Sequence, residues 1–238
     1  MSRVRPVIAV VGMGSESAAA AQSLESDHRR ILEVPPHEVS SVTPTVWVCT
    51  STDGLRAVVM SEPNVPVVIT DTVVPTGVPP EQLSDLLRAW NTDTVPARSL
   101  PFHRVHTRGR ECPMLREVVI STDAVAQISE FTVVHEDRVL QEVRADGIVV
   151  AGPSGAGGYA QSLGGPRLGA VDGLLTVPMA GFTSHTPMWV TPPPVTVTVV
   201  RKEAVVSACI DGTETVQLEP GASLSVTQVG RYDVIGQW

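Results

Sequence analysis

Two different periods of apolar and polar residues run along this chain, and the change between them divides it. Val7–Val11 is an unbroken apolar run of strand length, as expected of a strand buried on both faces. Gly12, Met13, Gly14 and Ser15 end it, and Ser15 is placed to cap a helix that begins near Glu16 and carries a run of alanines. Residues 45–49 read as a second strand, followed by polar residues 50–54 and a short helix from Leu55. Residues 66–69 give a third buried strand. Residues 80–90 predict a helix with Pro80 near its first turn and Leu83, Leu86 and Leu87 on one face. Three apolar strands interleaved with helices predict a small parallel sheet.

After about residue 95 the period becomes that of strands: 117–121, 126–134, 147–150, 194–200, 204–210 and 223–229. Asp211–Gly212 between two of them is a hairpin signal. Residues 156–163 are the one helical stretch expected here. The reading is a small α/β domain over residues 1–100 and a β-rich domain over 101–238, with no internal repeat and no low-complexity linker.

Composition narrows the function. Apolar residues make up 42% and charged residues 18% of the 238, a globular balance. No apolar run approaches the ~20 residues that cross a bilayer, and residues 7–11 are too short for a secretory leader, so the chain is expected in the cytoplasm. A net charge of −8 disfavours a nucleic-acid partner, because phosphate backbones are repelled. Small phosphorylated ligands stay open, since glycine loops hold them through backbone amides. Of 17 cationic residues only Lys202 is a lysine. Cys49, Cys112 and Cys209 are far apart and form no Cys-x-x-Cys pair, so they predict buried apolar residues rather than a zinc or disulfide framework. His28, His37, His103, His106, His135 and His185 show no metal-ligand spacing. His103 and His106 flank Arg104 near Arg108 and Arg110, which reads as a solvated strand and loop or as an anion patch. Gly12–Met13–Gly14 lacks the third glycine of a dinucleotide fingerprint, no Walker lysine follows a glycine loop, and no Gly-x-Ser-x-Gly elbow occurs.

The informative stretch is 145–166, Ala-Asp-Gly-Ile-Val-Val-Ala-Gly-Pro-Ser-Gly-Ala-Gly-Gly-Tyr-Ala-Gln-Ser-Leu-Gly-Gly-Pro. It gives a strand, a glycine-dense turn, a short helix and a Gly-Gly-Pro stop. Glycine lets backbone approach a ligand closely, and a helix opening inside the turn offers free N–H groups to an anion. A tight structural turn in a β domain is the plainer reading.

The order of residues resembles the C-terminal domain of NAD kinases. Asp146, Gly147, Pro153, Gly155, Tyr159, Gly164, Gly165 and Pro166 fall on that family's residues without gaps, with Ser154 in place of a threonine. Residues 115–120, Leu-Arg-Glu-Val-Val-Ile, resemble its Leu-Asn-Glu-Val-Val-Ile. Residues 174–178, Leu-Leu-Thr-Val-Pro, resemble its Leu-x-Leu-Thr-Pro, and Asp211–Gly212 falls on a late Asp-Gly. The resemblance implies a small α/β domain, a β-sandwich-like C-terminal domain and a site between them. It implies transfer of the ATP γ-phosphoryl group to the adenosine ribose 2′-hydroxyl of NAD, with Mg²⁺ on the phosphates, in a homo-oligomer. Asp146 and Glu117 would hold the acceptor nucleotide together with the loop of Gly152, Pro153, Ser154, Gly155, Gly157 and Tyr159.

The sequence also departs from the family. Its Gly-Gly-Asp-Gly-Thr, whose aspartate is the catalytic carboxylate, corresponds to the region 49–54. Aligned on Leu55–Arg56–Ala57, the aspartate position is Ser51 and the leading glycines are Cys49 and Thr50. A two-residue slip makes Asp53 the carboxylate, with Ser51 and Thr52 for the glycines. The family asparagine before Glu117 is Arg116, its Ser-Thr-Ala is Ala156–Gly157–Gly158, its Gly-Ile-Asn is Val68–Ile69–Thr70, and its histidine near 182 is Phe182. Three functions follow as expectations: an NAD-kinase-like phosphotransferase with Asp53 as base, a catalytically degenerate nucleotide binder of the same fold, or a structural subunit. The alternative roles of the carboxylates are an Asx turn at Asp53, a cap or turn at Asp146, and a solvent-facing strand position at Glu117.

Overall fold

The structure, a computed structural model, describes residues 7–12, 14–25, 30–61, 64–70, 77–92, 94–124, 127–169, 171–183, 186–201 and 205–236, without the side chains of residues 25 and 30. Met13, His28, Ala126, His185, Lys202 and Ala204, used in the sequence argument, lie outside the described residues. The chain divides into two compact units, Met1–Leu100 with Arg231–Trp238, and Pro101–Gly230.

The first unit follows the apolar runs. Its elements are β1 (Val7–Val11), α1 (Ser15–Glu25), β2 (Arg30–Val34), β3 (Val46–Cys49), α2 (Thr52–Ser61), β4 (Val67–Ile69) and α3 (Leu83–Asn91). The strands pair in parallel in the order β2-β1-β3-β4. Both faces of β1 and β3 are buried, which is why the runs show no polar alternation. Ile8, Val10 and Val48 pack with Leu24 of α1 and with Leu83, Leu86 and Leu87 of α3. Helix α1 includes Ser15, and the Gly14 carbonyl takes the amide of Ala18 (3.3 Å). Helix α2 starts three residues before Leu55, because the Ser51 hydroxyl accepts the Gly54 amide (3.1 Å) and caps it. Cys49 is buried, which pushes its thiol pKa up.

The second unit is built from β5 (Ala97–Thr107, entered from the first unit), β6 (Arg110–Met114), β7 (Glu117–Thr122), β8 (Ser129–His135), β9 (Arg138–Ala145), β10 (Gly147–Ala151), the one-turn helix α4 (Tyr159–Ser162), β11 (Leu174–Met179), β12 (Trp189–Thr191), β13 (Val195–Val199), β14 (Val206–Ile210), β15 (Glu214–Leu218) and β16 (Ser223–Ile235). One antiparallel sheet has the order β12-β11-β10-β7-β14-β15, and a second contains β16-β13-β8-β9 with the β5–β6 hairpin. Val118, Ile120, Ile148, Val150, Val206 and Ala208 of the first sheet pack on Phe131, Val133, Val195 and Val197 of the second, making a sandwich. Beyond Gly230, β16 belongs to the first unit, where Val234 pairs with Val67.

Strand β10 is buried at all five positions. Ile148 and Val150 face the sandwich core, while Val149 and Ala151 join Ala156, Ala160, Leu168, Leu175 and Val177 on the outer face. The glycine-rich segment after β10 folds back over this face and covers it. Residues 156–163 therefore form only one helical turn, preceded by tight turns from residue 153.

Several strands, the β5–β6 hairpin among them, are not among those that the sequence predicts. The charged residues there are not an anion patch. Arg104 pairs with Glu111 (3.0 Å), His106 with Glu111 (3.3 Å) and Thr227 (2.8 Å), and Arg108 with Glu219 (2.7 Å). His103, by contrast, points inward and is 1% exposed. Cys112 is part of the sandwich core, and Cys209 is half-buried.

Candidate functional site

Strand alternation places Glu117 on the same face of its sheet as Val119, the outer face that the glycine-rich segment covers. Its neighbour across the ladder is Ala151, the last residue of β10. The segment that leaves Ala151 therefore crosses directly over Glu117, and a side chain that would otherwise meet solvent is 7% exposed.

Residues 115–117 and 152–158 are laced together. The Arg116 carbonyl accepts the Gly152 amide (2.8 Å), and the Leu115 carbonyl accepts the Ser154 hydroxyl (2.6 Å). A β-carbon on Gly155 would collide with the Arg116 carbonyl and lie 2.6 Å from Glu117 Oε2. One on Gly158 would lie 3.5 Å from Arg116 Nη2 and 3.6 Å from Glu117 Oε2. Gly155 thus makes room for the Arg116–Glu117 pair, and Gly158 leaves it in ordinary contact. Gly152 gives way instead to His103, whose Cε1 would be 2.9 Å from an added β-carbon.

The sequence predicts free amides for an anion in this loop. The structure turns four of them inward: Gly152 donates to Arg116, Gly155 (3.0 Å) and Ala156 (2.9 Å) to the Gly152 carbonyl, and Gly158 to the Gly155 carbonyl (2.8 Å). The chemistry offered by the loop is thus that of the side chains it encloses. Arg116 Nη2 lies 3.5 Å from Glu117 Oε1, with the two side chains 13% and 9% exposed. Glu117 Oε2 and Arg116 Nε are buried without a hydrogen-bond partner. Burial raises the Glu117 pKa, Arg116 lowers it in part, and the carboxylate of Asp211 raises it further. His103 is lowered to about 4 by burial, against the opposing charge of Asp172, so its ring is neutral. Its Nδ1 has no partner.

Of the residues singled out from the sequence, the structure gathers Glu117, Gly152, Pro153, Ser154 and Gly155 at one place. Gly157 is half-buried and Tyr159 is 41% exposed on the outer side of the same segment. Asp146 is elsewhere. It precedes β10, its amide and carbonyl are held by Met179 and Thr122 (both 3.0 Å), and the length of the strand puts it about 20 Å from Gly152. Asp53 belongs to the first unit, exposed in the first turn of α2. Beside it Thr50, in place of a family glycine in one alignment, is buried, its hydroxyl bonded to the Val11 carbonyl and Ser17 Oγ (both 3.2 Å). A side chain at Gly12 would run into that hydroxyl.

Three participants were not singled out as site residues. His103 sits in a strand whose outward residues are charged, which masks the inward one. Arg116 shows in the sequence only as a departure from the family pattern. Asp211 was read as a turn residue, yet its carboxylate reaches the amides of residues 115–117.

The family model of the ATP-NAD kinase C-terminal domain matches residues 115–234, from the first residue that Asp211 holds to Val234 of β16, where that strand pairs with β4. The NAD kinase of Methanosarcina acetivorans is 38% identical over 109 residues, 44% of this chain and 39% of that protein. That of Serratia proteamaculans is 34% identical over 107 residues, 43% of this chain and 36% of that protein. The chain thus covers less than two fifths of these two relatives' length. Among solved structures, an NAD kinase from Archaeoglobus fulgidus in complex with ATP superposes with a TM-score of 0.71 at 18% identity, covering 96% of this chain and 92% of that one. Yeast NADH kinase complexed with NADH gives 0.76 at 10% identity, covering 99% and 85%. At these identities the superpositions speak for the fold. The family match spans half of the residues, among them residues 115–117, the glycine-rich segment and Asp211, and the chain belongs to the NAD kinase family.

Proposed function

We propose that this protein is an NAD-kinase-like phosphotransferase that binds a NAD-type dinucleotide at the Glu117 loop and phosphorylates it from ATP, contributing to NADP synthesis. The observation that carries the reading is the enclosed Glu117 carboxylate, held under a glycine segment that lies within the family match. In this proposal Glu117 accepts a hydrogen bond from the nucleotide, and Ser154, Gly155, Gly157 and Tyr159 shape its seat. Asp146 would contact the ligand from its separate position. Asp53 is the base that orients and deprotonates the acceptor hydroxyl, which suits an exposed carboxylate in the first turn of a helix. Mg²⁺ would enter on the ATP phosphates, since among the described residues no three His, Cys, Asp or Glu side chains gather to hold a metal. Among the same residues no helix is long and apolar enough to cross a membrane. A cytoplasmic homo-oligomer completes the proposal.

A second reading, nucleotide binding without transfer, is favoured by the Thr50–Ser51 corner. There the hydroxyls bond within the chain, Thr50 to Val11 and Ser17, and Ser51 to the amide of Gly54. The test is incubation of the full chain with NAD, ATP and Mg²⁺ at low and high salt, with NADP as the readout. NADP formation supports transfer. Absence of NADP together with a thermal shift on adding NAD or NADP leaves the binding reading alone, and absence of both overturns the two readings together.

A further inference from the structure

Asp211 does more than turn the chain. It adopts φ 51° and is followed by Gly212 at φ 74°, left-handed conformations that aspartate and glycine tolerate. Its side chain leaves this turn and accepts three successive amides: Leu115 through Oδ2 (2.9 Å), and Arg116 (2.9 Å) and Glu117 (3.1 Å) through Oδ1. Its own amide donates to the Glu117 carbonyl (2.9 Å). The same three residues present the carbonyls of Leu115 and Arg116 that fasten Ser154 and Gly152. Asp211 itself is 5% exposed, so its grip is charge-assisted and shielded from water.

Resting on the reading of Glu117 as a nucleotide ligand, we propose that Asp211 is a positioning residue that holds the Glu117 carboxylate in place through the amides of residues 115–117. Removing any one of the three amide bonds lets residues 115–117 shift, and the loop fastened to their carbonyls shifts with them. The charged groups that act on Glu117 are Arg116 from its own strand and Asp211 from the β14–β15 turn, and Gly155 and Gly158 of the loop lie over it.

Asp211→Asn is the primary test, because asparagine keeps the left-handed turn and one acceptor oxygen while losing the charge. The full-length chain carrying ¹³C-carboxyl glutamate is titrated by NMR, with Glu117→Gln identifying the Glu117 signal. The account expects the Glu117 midpoint to move down in the Asp211→Asn protein and NAD binding to weaken by about tenfold or more. The same substitution made on Glu117→Gln should weaken binding by less than it does in the wild type. An unmoved midpoint, or a melting temperature that falls while the affinity for NAD stays the same, overturns the proposal and leaves Asp211 a fold residue. Should Asp211→Asn fail to fold, Asp211→Glu keeps the charge and displaces it by one methylene. Weakened NAD binding is then expected, and wild-type affinity overturns the proposal. A wild-type protein that binds neither NAD nor NADP contradicts the proposed function instead, and the Glu117 titration then decides the role of Asp211 alone.

Discussion

Glu117 and Gly155 are complementary in a steric sense: the carboxylate occupies the volume that a β-carbon at 155 would need, with Oε2 2.6 Å from that point. The glycine loop of this protein closes on one of its own side chains. A ligand at this site therefore meets the Arg116–Glu117 pair under the loop more than the loop's amides, four of which are already bonded within the chain.

Gly155→Ala tests that closure. The methyl group meets a backbone carbonyl that cannot rotate away, so the loop must lift. A stability loss of about 2 kcal/mol is expected by denaturant unfolding, with NAD affinity falling more than Tyr159→Phe lowers it, because Tyr159 lies on the outer side.

Glu117 carries a stability cost at neutral pH. Its folded pKa is raised, so the native state binds more protons than the unfolded chain between the two values, and stability falls as pH rises through the folded pKa. Glu117→Gln should remove this slope from the pH dependence of the melting temperature, while weakening nucleotide binding by about tenfold or more. A variant with the wild-type slope would show that another group titrates.

His103 acts with the opposite sign. Its pKa falls from 6.5 to about 4 on folding, so the unfolded chain binds more protons in that interval. Stability is fully present above about pH 6.5 and is lost as pH drops toward about 4, by about 3 kcal/mol in total. His103→Gln should flatten the acid limb of a urea-unfolding series measured across this range.

Asp53 is exposed and belongs to the first unit. Asp53→Asn is expected to change the melting temperature little and to leave NAD affinity intact. It should lower the rate of NADP formation by about a hundredfold or more if the carboxylate is the base. An unchanged rate would move that role to another residue.

The architecture was legible where burial is local. The apolar runs of β1, β3, β7 and β10 announce strands because both or one of their faces are covered along the whole run. The fate of Glu117 was not legible. Alternation assigns it to the outer face, but whether that face meets water depends on a segment beginning 35 positions later that packs as turns and not as the expected helix. The β5–β6 hairpin was hidden by its outward arginines and histidines, which pair across the hairpin with Glu111 and, far along the chain, with Glu219. The hairpin signal at Asp211 was read, but its hydrogen bonds cross more than 90 residues, and no local pattern encodes them.

Calorimetric titration of NAD into the full-length protein and into Glu117→Gln tests the central claim most directly. The account predicts one saturable site per chain in the wild type and an affinity lower by about tenfold or more in the variant. Equal affinity in both proteins, or no heat in either, would contradict a nucleotide site built around the Glu117 carboxylate.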